Sequence, residues 1–368
     1  MISKDLRIGL VGPLPPPFGG MANQTRQLAE LLSGQGITVS VAQVNAPYRP
    51  NWIGHVPYVR ALFRLLPYIS SLWRLAARSD LIHVMANSGW SWHLFAAPAI
   101  WIAHWRKVPV VVNYRGGEAG AFLEKAAPQI RWSLSRAALL AVPSGFLQDV
   151  FGRFGITAAI VPNIVNLERF HNPAPHRGTR RRLLVARNLE PIYDNETAIR
   201  AFSLVHARYP DSTLTIAGSG PEANKLKALA ERLALSKAVT FTGRLEPQAM
   251  AMLYRETDIA LNPSLVDNMP NSVLEALASG LPVVSTCVGG VPYIVKDGET
   301  ALLVPPRSPE SMASAIIRLI DEPDLCRRLI DNGLTEVRRY TWDSVWPIWK
   351  EIYRSALSQQ NRLIHSQS

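Results

Sequence analysis

The sequence predicts an α/β protein built from two doubly wound domains in tandem. The chain opens with a strand, a loop, a helix and a second strand, which together form the unit of a parallel sheet. Its apolar strands are continuous instead of alternating, which is typical of sheets covered on both faces. The β/α alternation restarts after a polar, basic segment at 171–182. Two such sheets imply a cleft, with ligands bound beyond the carboxyl ends of the strands.

The first half begins with a predicted strand at 6–12, a Pro/Gly-rich loop at 13–20, a helix at 21–36 and a strand at 37–44. Further apolar strands follow at 81–85, 108–114, 138–144 and 158–163. The next segment, HNPAPHRGTRRR, has the proline, glycine and arginine content of a linker.

The second half repeats the pattern and ends in a tryptophan-rich helix predicted at 342–357. Its strands are predicted at 182–188, 212–220, 238–243, 258–264 and 281–286. Its other helices are predicted at 195–210, 222–235, 247–257, 309–323 and 323–341.

The charge of the chain is concentrated in its first half. The 368 residues carry a net charge of +11, and 48% of them are hydrophobic, enough for two cores. Residues 1–170 contain 16 Lys and Arg against 7 Asp and Glu, whereas the remainder is nearly balanced. This asymmetry indicates an anionic partner: nucleic acid, a membrane surface or a phosphorylated substrate.

The two cysteines, Cys287 and Cys326, make no metal-ligand pattern and favour a reducing, cytoplasmic setting. The N-terminus is expected to be a first core strand instead of a signal peptide. No run of about 18 uncharged apolar residues predicts a spanning helix. The nearest approach, 90–105, contains His93, Pro98 and His104 and is predicted to be a buried helix.

The segment PSLVDNMPNSVLEALASG, residues 263–280, follows a predicted strand end and enters a helix. Pro270 suits the first helical turn, so the backbone amides of 270–273 are expected to be unpaired donors for a diphosphate. The structural alternative is a capping box between Ser272 and Glu275, with Asp267 as a loop acid near the helix dipole.

This segment closely resembles the donor-site signature of the retaining glycosyltransferases of family 4, in which two acids lie eight positions apart. Other segments resemble the family's motifs in the correct order, at 12–36, 161–170, 186–202, 214–230, 239–244 and 289–306. The resemblance covers most of the chain. It implies the GT-B fold, with two Rossmann-like domains facing across a cleft.

The resemblance assigns roles to three residues. Glu275 falls on the acid that binds the nucleotide ribose hydroxyls. Asp267 falls on the acid that contacts the donor sugar, where the family more often has Glu. Arg187 falls on the basic residue that neutralises the diphosphate leaving group. The donor is expected to lie along Asn268, Met269, Pro270, Asn271, Ser272 and Val273.

Two loops depart from the family pattern. In the family a lysine usually follows this arginine, but here the first lysine after Arg187 is Lys225. Tyr193 or Asn195 is a candidate replacement, and the alternative is a subgroup with one cation fewer. In VNYRGG, Tyr114 and Arg115 stand where the family often has a histidine. Arg115 is expected to face the cleft and a phosphate.

Gly19 and Gly20 are expected to let backbone amides approach phosphates or the acceptor, with an ordinary turn as the alternative. Arg244 lies where the family binds the nucleotide base, and a solvated arginine is the alternative. The eight histidines show no metal spacing. The resemblance therefore implies a metal-independent reaction with a nucleotide-sugar as co-substrate and no further cofactor.

The segment 58–80 has four arginines and no acid before Asp80. On a helical projection the arginines Arg60, Arg64, Arg74 and Arg78 form one stripe, and an apolar face lies opposite them. The apolar face comprises Leu62, Leu65, Ile69, Leu72, Trp73 and Ala76. We expect this helix, which Pro67 could divide, to dock on an anionic membrane, with plain core packing as the alternative. No nucleic-acid motif accompanies the charge.

The sequence thus predicts a retaining glycosyltransferase on the cytoplasmic face of the cell membrane, peripheral to it. It would move a sugar from a UDP- or GDP-linked donor to a lipid-linked or envelope polysaccharide acceptor. Residues 1–171 would bind the acceptor and 172–341 the donor. The family pattern implies that 342–368 packs back on the first domain. The rival functions are an epimerase of the same fold that does not hydrolyse its sugar nucleotide, and a non-catalytic membrane or partner-binding relative.

Overall fold

The computed structural model describes residues 6–16, 19–47, 59–171 and 181–365. The chain divides into two compact units, each built around a six-stranded parallel sheet. The first unit comprises Met1–Pro162 together with Val345–Ser368, and the second comprises Asn163–Ser344. The predicted fold class, two doubly wound α/β domains, is confirmed.

The sheet of the first unit has the strand order β2-β1-β3-β4-β5-β6. Its central strands are buried along their whole length, which explains their unbroken apolar sequences. The strands are β1 (Arg7–Gly12), β2 (Thr38–Gln43), β3 (Leu81–Ala86), β4 (Val110–Tyr114), β5 (Leu139–Val142) and β6 (Ala159–Ile160). The helices are α1 (Gly20–Gly34), α2 (Val59–Ala76), α3 (Ala97–Trp105), α4 (Ala119–Leu134) and α5 (Gly145–Gly152). The last strand is shorter than predicted, since Pro162 has no amide hydrogen for a ladder.

The sheet of the second unit has the order β12-β11-β10-β7-β8-β9. Counted within the unit this is 6-5-4-1-2-3, the Rossmann order, so the direction of winding reverses between β7 and β10. The strands are β7 (Arg182–Val185), β8 (Thr213–Ala217), β9 (Val239–Gly243), β10 (Ile259–Asn262), β11 (Val283–Thr286) and β12 (Leu302–Val304). The helices are α6 (Leu167–Phe170), α7 (Asn195–Arg208), α8 (Ala223–Arg232), α9 (Pro247–Arg255), α10 (Asn271–Ala278), α11 (Pro309–Asp321) and α12 (Pro323–Glu336).

The boundary between the units lies at Pro162, nine residues before the predicted position at 171. Val165 and Phe170 are buried in the core of the second unit. The amide of Val165 also donates to the carbonyl of Tyr340, at 2.9 Å. Burial of these apolar side chains fixes the segment to the second unit. The predicted linker lies largely outside the described residues.

The final helix, α13 (Trp342–His365), contributes its residues from Val345 onward to the first unit. Trp349 and Tyr353 are buried there, and the Tyr353 hydroxyl lies 2.8 Å from Nδ1 of His83. Within the described residues, no helix has the length and apolar character needed to cross a bilayer.

Helix α2 differs from the prediction in its length and in its buried face. It runs unbroken through Pro67 and ends at Ala76, not at residue 80. Tyr68, Leu72, Leu75 and Ala76 pack on the core. The apolar arc is wider than the packed face: Ile69 and Trp73, which the helical projection placed on the apolar face, are 36% and 47% exposed. The side chains of Arg60 and Leu62 lie outside the described residues.

The predicted helix at 90–105 begins with a π-helical turn, Trp92–Ala96, which continues into α3. Its middle is buried as predicted, through Trp92, Ile100 and Ile102. Its ends are not buried: Trp90 is 78% and Trp105 is 64% exposed.

Candidate functional site

The switch point of the second sheet brings two loops together. Strand β7 is followed by Arg187, and the adjacent parallel strand β10 is followed by the loop 263–270, which leads into α10. The carboxyl ends of both strands lie at the same edge, where doubly wound sheets bind their ligands. The predicted donor segment therefore occupies the edge that the topology favours.

Helix α10 begins at Asn271, and Pro270 is its N-cap residue with an extended backbone. Ser272 is thus inside the helix and Glu275 lies beyond the first turn, so the capping-box alternative does not form. The prediction of four amide donors at 270–273 was wrong in two places. Pro270 carries no amide hydrogen, and the amide of Val273 donates to the carbonyl of Pro270 at 3.1 Å. The amides of Asn271 and Ser272 belong to the first turn of α10.

Arg187 and Asp267 form an ion pair at this edge, and each side chain is only 11% exposed. The guanidinium also donates to Oγ of Ser272, at 3.4 Å. Burial raises the pKa of Asp267, while Arg187, the hydroxyl of Ser264 and the local backbone amides act in the opposite direction. Arg187 and Asp267, the basic residue and the first acid of the predicted site, are therefore in direct contact.

Tyr193 stacks on Arg187, with the guanidinium carbon 4.2 Å from the ring centre. It lies in a short 3₁₀ turn, which is tied to the donor loop because the amide of Leu265 donates to the carbonyl of Ile192 at 2.8 Å. Tyr193 is therefore in direct contact with Arg187, and its role in place of the missing lysine stays a prediction.

Asn195 and Lys225 have structural partners of their own. Asn195 is fully buried and its Nδ2 donates to the carbonyl of Asn188 at 3.0 Å, so it stabilises the loop after β7 from within. The ammonium of Lys225 lies 3.0 Å from Glu222 and 3.2 Å from Glu196. Lys225 is thus paired with two carboxylates on the helical surface.

Glu275 accepts a hydrogen bond from the hydroxyl of Tyr254, at 3.2 Å. The same hydroxyl lies 3.1 Å from the carbonyl of Ser272, so it joins the acid to the first turn of α10. Burial raises the pKa of Glu275 to about 7, and the bond from Tyr254 acts against this rise. Tyr254, on α9, is a site residue that the sequence analysis missed, since a tyrosine within an amphipathic helix carries no motif.

Asn268, Met269 and Val273 are buried, at 5%, 4% and 1% exposure. Met269 and Val273 pack in the core of the second unit, so their side chains support the site instead of lining it. Asn163 fixes the same loop, since its Nδ2 donates to the carbonyl of Met269 at 2.9 Å and to Oδ1 of Asn271 at 2.7 Å. The motif at 161–170 pointed to this residue without giving it a role.

Three glycines allow neighbouring loops to pack on the site. A Cβ on Gly218 would lie 2.0 Å from the carbonyl oxygen of Arg187, and one on Gly220 would lie 2.3 Å from that of Leu189. Gly289 has a φ of +52°, and a Cβ there would lie 2.1 Å from the carbonyl oxygen of Asp267. The backbone of Gly218 and Gly289 therefore packs directly against the backbone of Arg187 and Asp267, with no room for a side chain at either glycine.

Arg244 is exposed directly after β9, the edge strand two positions from β7. Gly19 is the extended N-cap of α1 and Gly20 is its first residue. Apart from the adjacent residues and the backbone of α1 itself, no described atom lies within 4 Å of a Cβ built at either glycine. Packing therefore does not require glycine at these two positions, and their role in binding stays a prediction.

In the first unit a hydrogen-bonded relay ends at Arg115, just after β4. Nε of Arg115 donates to Oδ1 of Asn113 at 2.7 Å, and Nδ2 of Asn113 lies 3.0 Å from Nε2 of His83. Since guanidinium can only donate, the amide group of Asn113 must donate to His83. His83 is then neutral with its proton on Nδ1, facing the hydroxyl of Tyr353 on α13. Burial lowers the pKa of His83 to about 3 and that of Arg115 to about 9.

Over the residues that the structure describes, no three His, Cys, Asp or Glu side chains converge as metal ligands. Cys287 and Cys326 are free thiols.

Two family models match the chain in succession. Residues 18–169 match the model described as Glycosyltransferase Family 4, and residues 167–335 match Glycosyl transferases group 1. The chain belongs to glycosyltransferase family 4. The site around Arg187, Asp267 and Glu275 lies within the second match.

Curated relatives match this family 4 member over part of their length. The D-inositol 3-phosphate glycosyltransferase of Corynebacterium glutamicum is 30% identical over 179 residues, which are 47% of this chain and 43% of that protein. The glycogen synthase of Mycobacterium tuberculosis is 26% identical over 294 residues, 76% of this chain and 69% of that protein. The chain thus spans less than half the length of the first of these relatives.

Solved structures share the fold of this family 4 member across nearly its whole length. Sucrose-phosphate synthase from Thermosynechococcus elongatus aligns with a TM-score of 0.77 and 20% identity, covering 96% of this chain and all of that one. HepE from Anabaena, solved in complex with UDP, aligns with a TM-score of 0.74 and 18% identity, covering 95% and 100%. These similarities establish the GT-B fold, with its two Rossmann-like domains.

Proposed function

We propose that this family 4 member transfers a sugar, with retention of anomeric configuration, from a UDP- or GDP-linked donor. The observation that carries the proposal is the arrangement of Arg187, on the loop after β7, with Ser272 and Glu275, on α10, at the switch point of the second sheet. A cation, a hydroxyl with first-turn amides and a carboxylate then follow one another along a path that fits a nucleoside diphosphate.

Each residue has a separate task in this proposal. Arg187 and the amides of Asn271 and Ser272 stabilise the charge that develops on the leaving diphosphate. Glu275, as a carboxylate, accepts hydrogen bonds from the ribose hydroxyls. Asp267 contacts the donor sugar and shares Arg187 with the diphosphate. Tyr193 stacks on Arg187 and holds its guanidinium in place.

The transfer proceeds on one face of the sugar. The bond between the anomeric carbon and the diphosphate oxygen breaks, and a bond to the acceptor hydroxyl oxygen forms on the same side. The proton of the acceptor hydroxyl passes to the leaving phosphate oxygen, so no side chain is needed as a nucleophile. The second-unit residues thus act through position and charge.

UDP-linked donors are the first to test, since HepE has been solved with UDP and with UDP-glucose on the same fold. On the acceptor side we propose a lipid-linked or envelope saccharide bound by the first unit. Arg115, at the carboxyl end of β4, would bind an anionic group there, in keeping with the basic charge of this half.

We also propose that helix α2 places the protein on the anionic, cytoplasmic face of the membrane. Phe63, Leu66 and Trp73 are 49%, 63% and 47% exposed, next to the exposed Arg74. Each arginine near such a surface contributes about 1 kcal/mol. A lipid-linked acceptor would then be presented to the enzyme at the surface where it is bound.

The donor proposal is tested by ligand-observed NMR with a panel of UDP- and GDP-sugars. Binding by the wild type, lost in Glu275→Ala, supports it. If no nucleotide-sugar binds the wild type, the enzyme function fails, and if Glu275→Ala binds UDP and GDP normally, the site assignment fails. Product analysis then distinguishes transfer from epimerisation, because an epimerase converts the donor without an acceptor.

The membrane proposal is tested by flotation with phosphatidylglycerol-containing vesicles at low salt. Co-flotation that weakens as salt rises supports docking through the arginines. Absence of binding at low salt contradicts it.

A further inference from the structure

Three tryptophans and two arginines form a surface cluster on α3 and α4 and directly after them, which we call the tryptophan platform: Trp101, Trp105, Arg106, Trp132 and Arg136. Trp105, Arg106 and Trp132 are exposed, and Trp101 and Arg136 are half-buried. The ring centres of Trp101 and Trp132 are 4.0 Å apart, and those of Trp101 and Trp105 are 6.2 Å apart. Trp105 is 64% and Trp132 is 58% exposed. Large aromatic side chains at this exposure, gathered in one place, mark an interaction surface.

The platform is continuous with the exposed side of α2. The guanidinium carbon of Arg106 lies 5.2 Å from the centre of the Trp73 ring, so it bridges the end of α3 to α2. From there the exposed apolar residues continue to Leu66 and Phe63. An aromatic and basic surface therefore runs over three neighbouring helices of the first unit.

Charge identifies the partner. Between Glu30 and Glu118 the sequence contains one acid, Asp80, and that carboxylate is paired with Arg7. The platform and its border with α2 contribute Arg74, Arg106, Lys107 and Arg136. The exposed residues of α4 also include one acid and one base in its second turn, Glu124 and Lys125. The surface is therefore strongly basic and attracts an anionic partner.

Two other occupants fit less well. A second copy of the chain would bring like charges face to face. A glycan would need open ring faces, but the Arg136 guanidinium carbon lies 4.0 Å from the Trp101 ring centre and 4.6 Å from that of Trp132. Tryptophan beside arginine suits the boundary between headgroups and acyl chains, where an aromatic ring and a charged group are both accommodated.

We propose that the tryptophan platform inserts into the interfacial layer of an anionic bilayer, as a second contact beside α2. This inference rests on the membrane part of the proposed function and extends it. The arginines attract the anionic lipids, and salt screens this attraction. The indole rings, once inserted in the bilayer, bury apolar surface there, and salt does not remove that contribution. Membrane binding should therefore have a salt-sensitive and a salt-resistant component, located on different residues.

The test measures flotation of the full chain with vesicles of equal parts phosphatidylcholine and phosphatidylglycerol, at low and at high salt. Three variants are compared: the platform variant Trp105→Ser/Trp132→Ser, the charge variant Arg74→Glu/Arg78→Glu, and the control Trp90→Ser. Trp90 is 78% exposed and lies outside the platform. All substituted side chains are exposed, and circular dichroism and UDP binding verify that each variant is folded.

We expect the wild type to retain part of its binding at high salt. The platform variant should bind about tenfold more weakly there, and Trp90→Ser should behave as the wild type. The charge variant should lose binding mainly at low salt.

If the platform variant binds vesicles at high salt as strongly as the wild type does, the inference is overturned. If the charge variant is impaired in the same experiment, docking through α2 still stands. If the wild type binds at neither salt, the platform inference and the membrane part of the proposed function fail together. If the wild type is a dimer and the platform variant is a monomer with unchanged vesicle binding, the platform is a subunit interface. That result also overturns the inference.

Discussion

The guanidinium of Arg187 is ion-paired with the carboxylate of Asp267, and both are nearly buried. In the proposed function Arg187 also meets the diphosphate of the donor. The carboxylate and the diphosphate therefore compete for one cation, in a chain that lacks the lysine expected after Arg187.

Replacing Asp267 with Asn should strengthen binding of free UDP or GDP while weakening sugar transfer. The substitution removes a negative charge beside the diphosphate and frees Arg187, for a gain of up to about tenfold in affinity. Isothermal titration with the nucleoside diphosphate measures the gain, and a transfer assay measures the loss. Asp211→Asn, which removes an exposed partner of Arg181, is the control. Weaker binding in Asp267→Asn would show that the acid supports the diphosphate site instead of competing with it.

Binding of the nucleotide should depend on the ionisation of Glu275. Burial raises the pKa of this acid to about 7, so below that pH it is protonated and loses its charge-assisted bonds to ribose. Affinity should fall toward about tenfold per pH unit below 7, and Glu275→Gln should bind weakly with a flatter profile. Tyr254→Phe removes a bond that lowers the pKa, so its midpoint should move to higher pH. Identical profiles for the wild type and Glu275→Gln would remove Glu275 from the ribose site.

The same acid should affect stability with the opposite sign. The folded chain holds the Glu275 proton more tightly than the unfolded chain does, where the ordinary value is 4.5. The contribution of this group to the unfolding free energy is therefore present at low pH and is lost as pH rises toward 7. Glu275→Gln should reduce that loss, which thermal unfolding at several pH values would reveal.

Gly218→Ala should destabilise the second unit and impair nucleotide binding together. The new methyl group would meet the carbonyl oxygen of Arg187 at 2.0 Å, and displacing this backbone should cost about 1–3 kcal/mol or more. Gly120→Ala, within α4, meets no atom within 4 Å among the described residues and should leave stability unchanged or higher. Thermal unfolding and UDP titration measure both variants. Equal behaviour of the two would contradict the close packing of the loops.

Tyr353→Phe should destabilise the first unit, because Nδ1–H of the buried His83 would lose its acceptor, at a cost of about 1–3 kcal/mol. Nitrogen NMR of His83 should show a neutral ring with its proton on Nδ1 throughout the neutral range, since burial lowers its pKa to about 3. A ring that is protonated near pH 6, or that carries its proton on Nε2, would contradict the relay to Arg115.

The sequence was informative where a local pattern decides the structure. Pro270 indicates where α10 starts, which places Glu275 beyond capping distance. Periodicity placed Trp73 on the apolar face of α2 but could not show which part of that wide arc would pack, and the Trp73 side chain is exposed. Tyr254 reaches Glu275 from another helix, and no spacing along the chain encodes such a contact. The unit boundary was displaced because the burial of Val165 and Phe170 depends on tertiary contacts.

The central claim is that Arg187 binds the diphosphate of the donor. Removing Arg187 alone would leave the Asp267 carboxylate buried without its partner, so the comparison is between Asp267→Asn and the double variant Arg187→Ala/Asp267→Asn. Arg200→Ala, at an exposed arginine paired with Glu196, is the control for loss of a cation. The measurement is the dissociation constant of UDP and GDP by isothermal titration. The account predicts that the double variant binds at least about tenfold more weakly than Asp267→Asn, whereas Arg200→Ala matches the wild type. Equal affinities for Asp267→Asn and the double variant would contradict it.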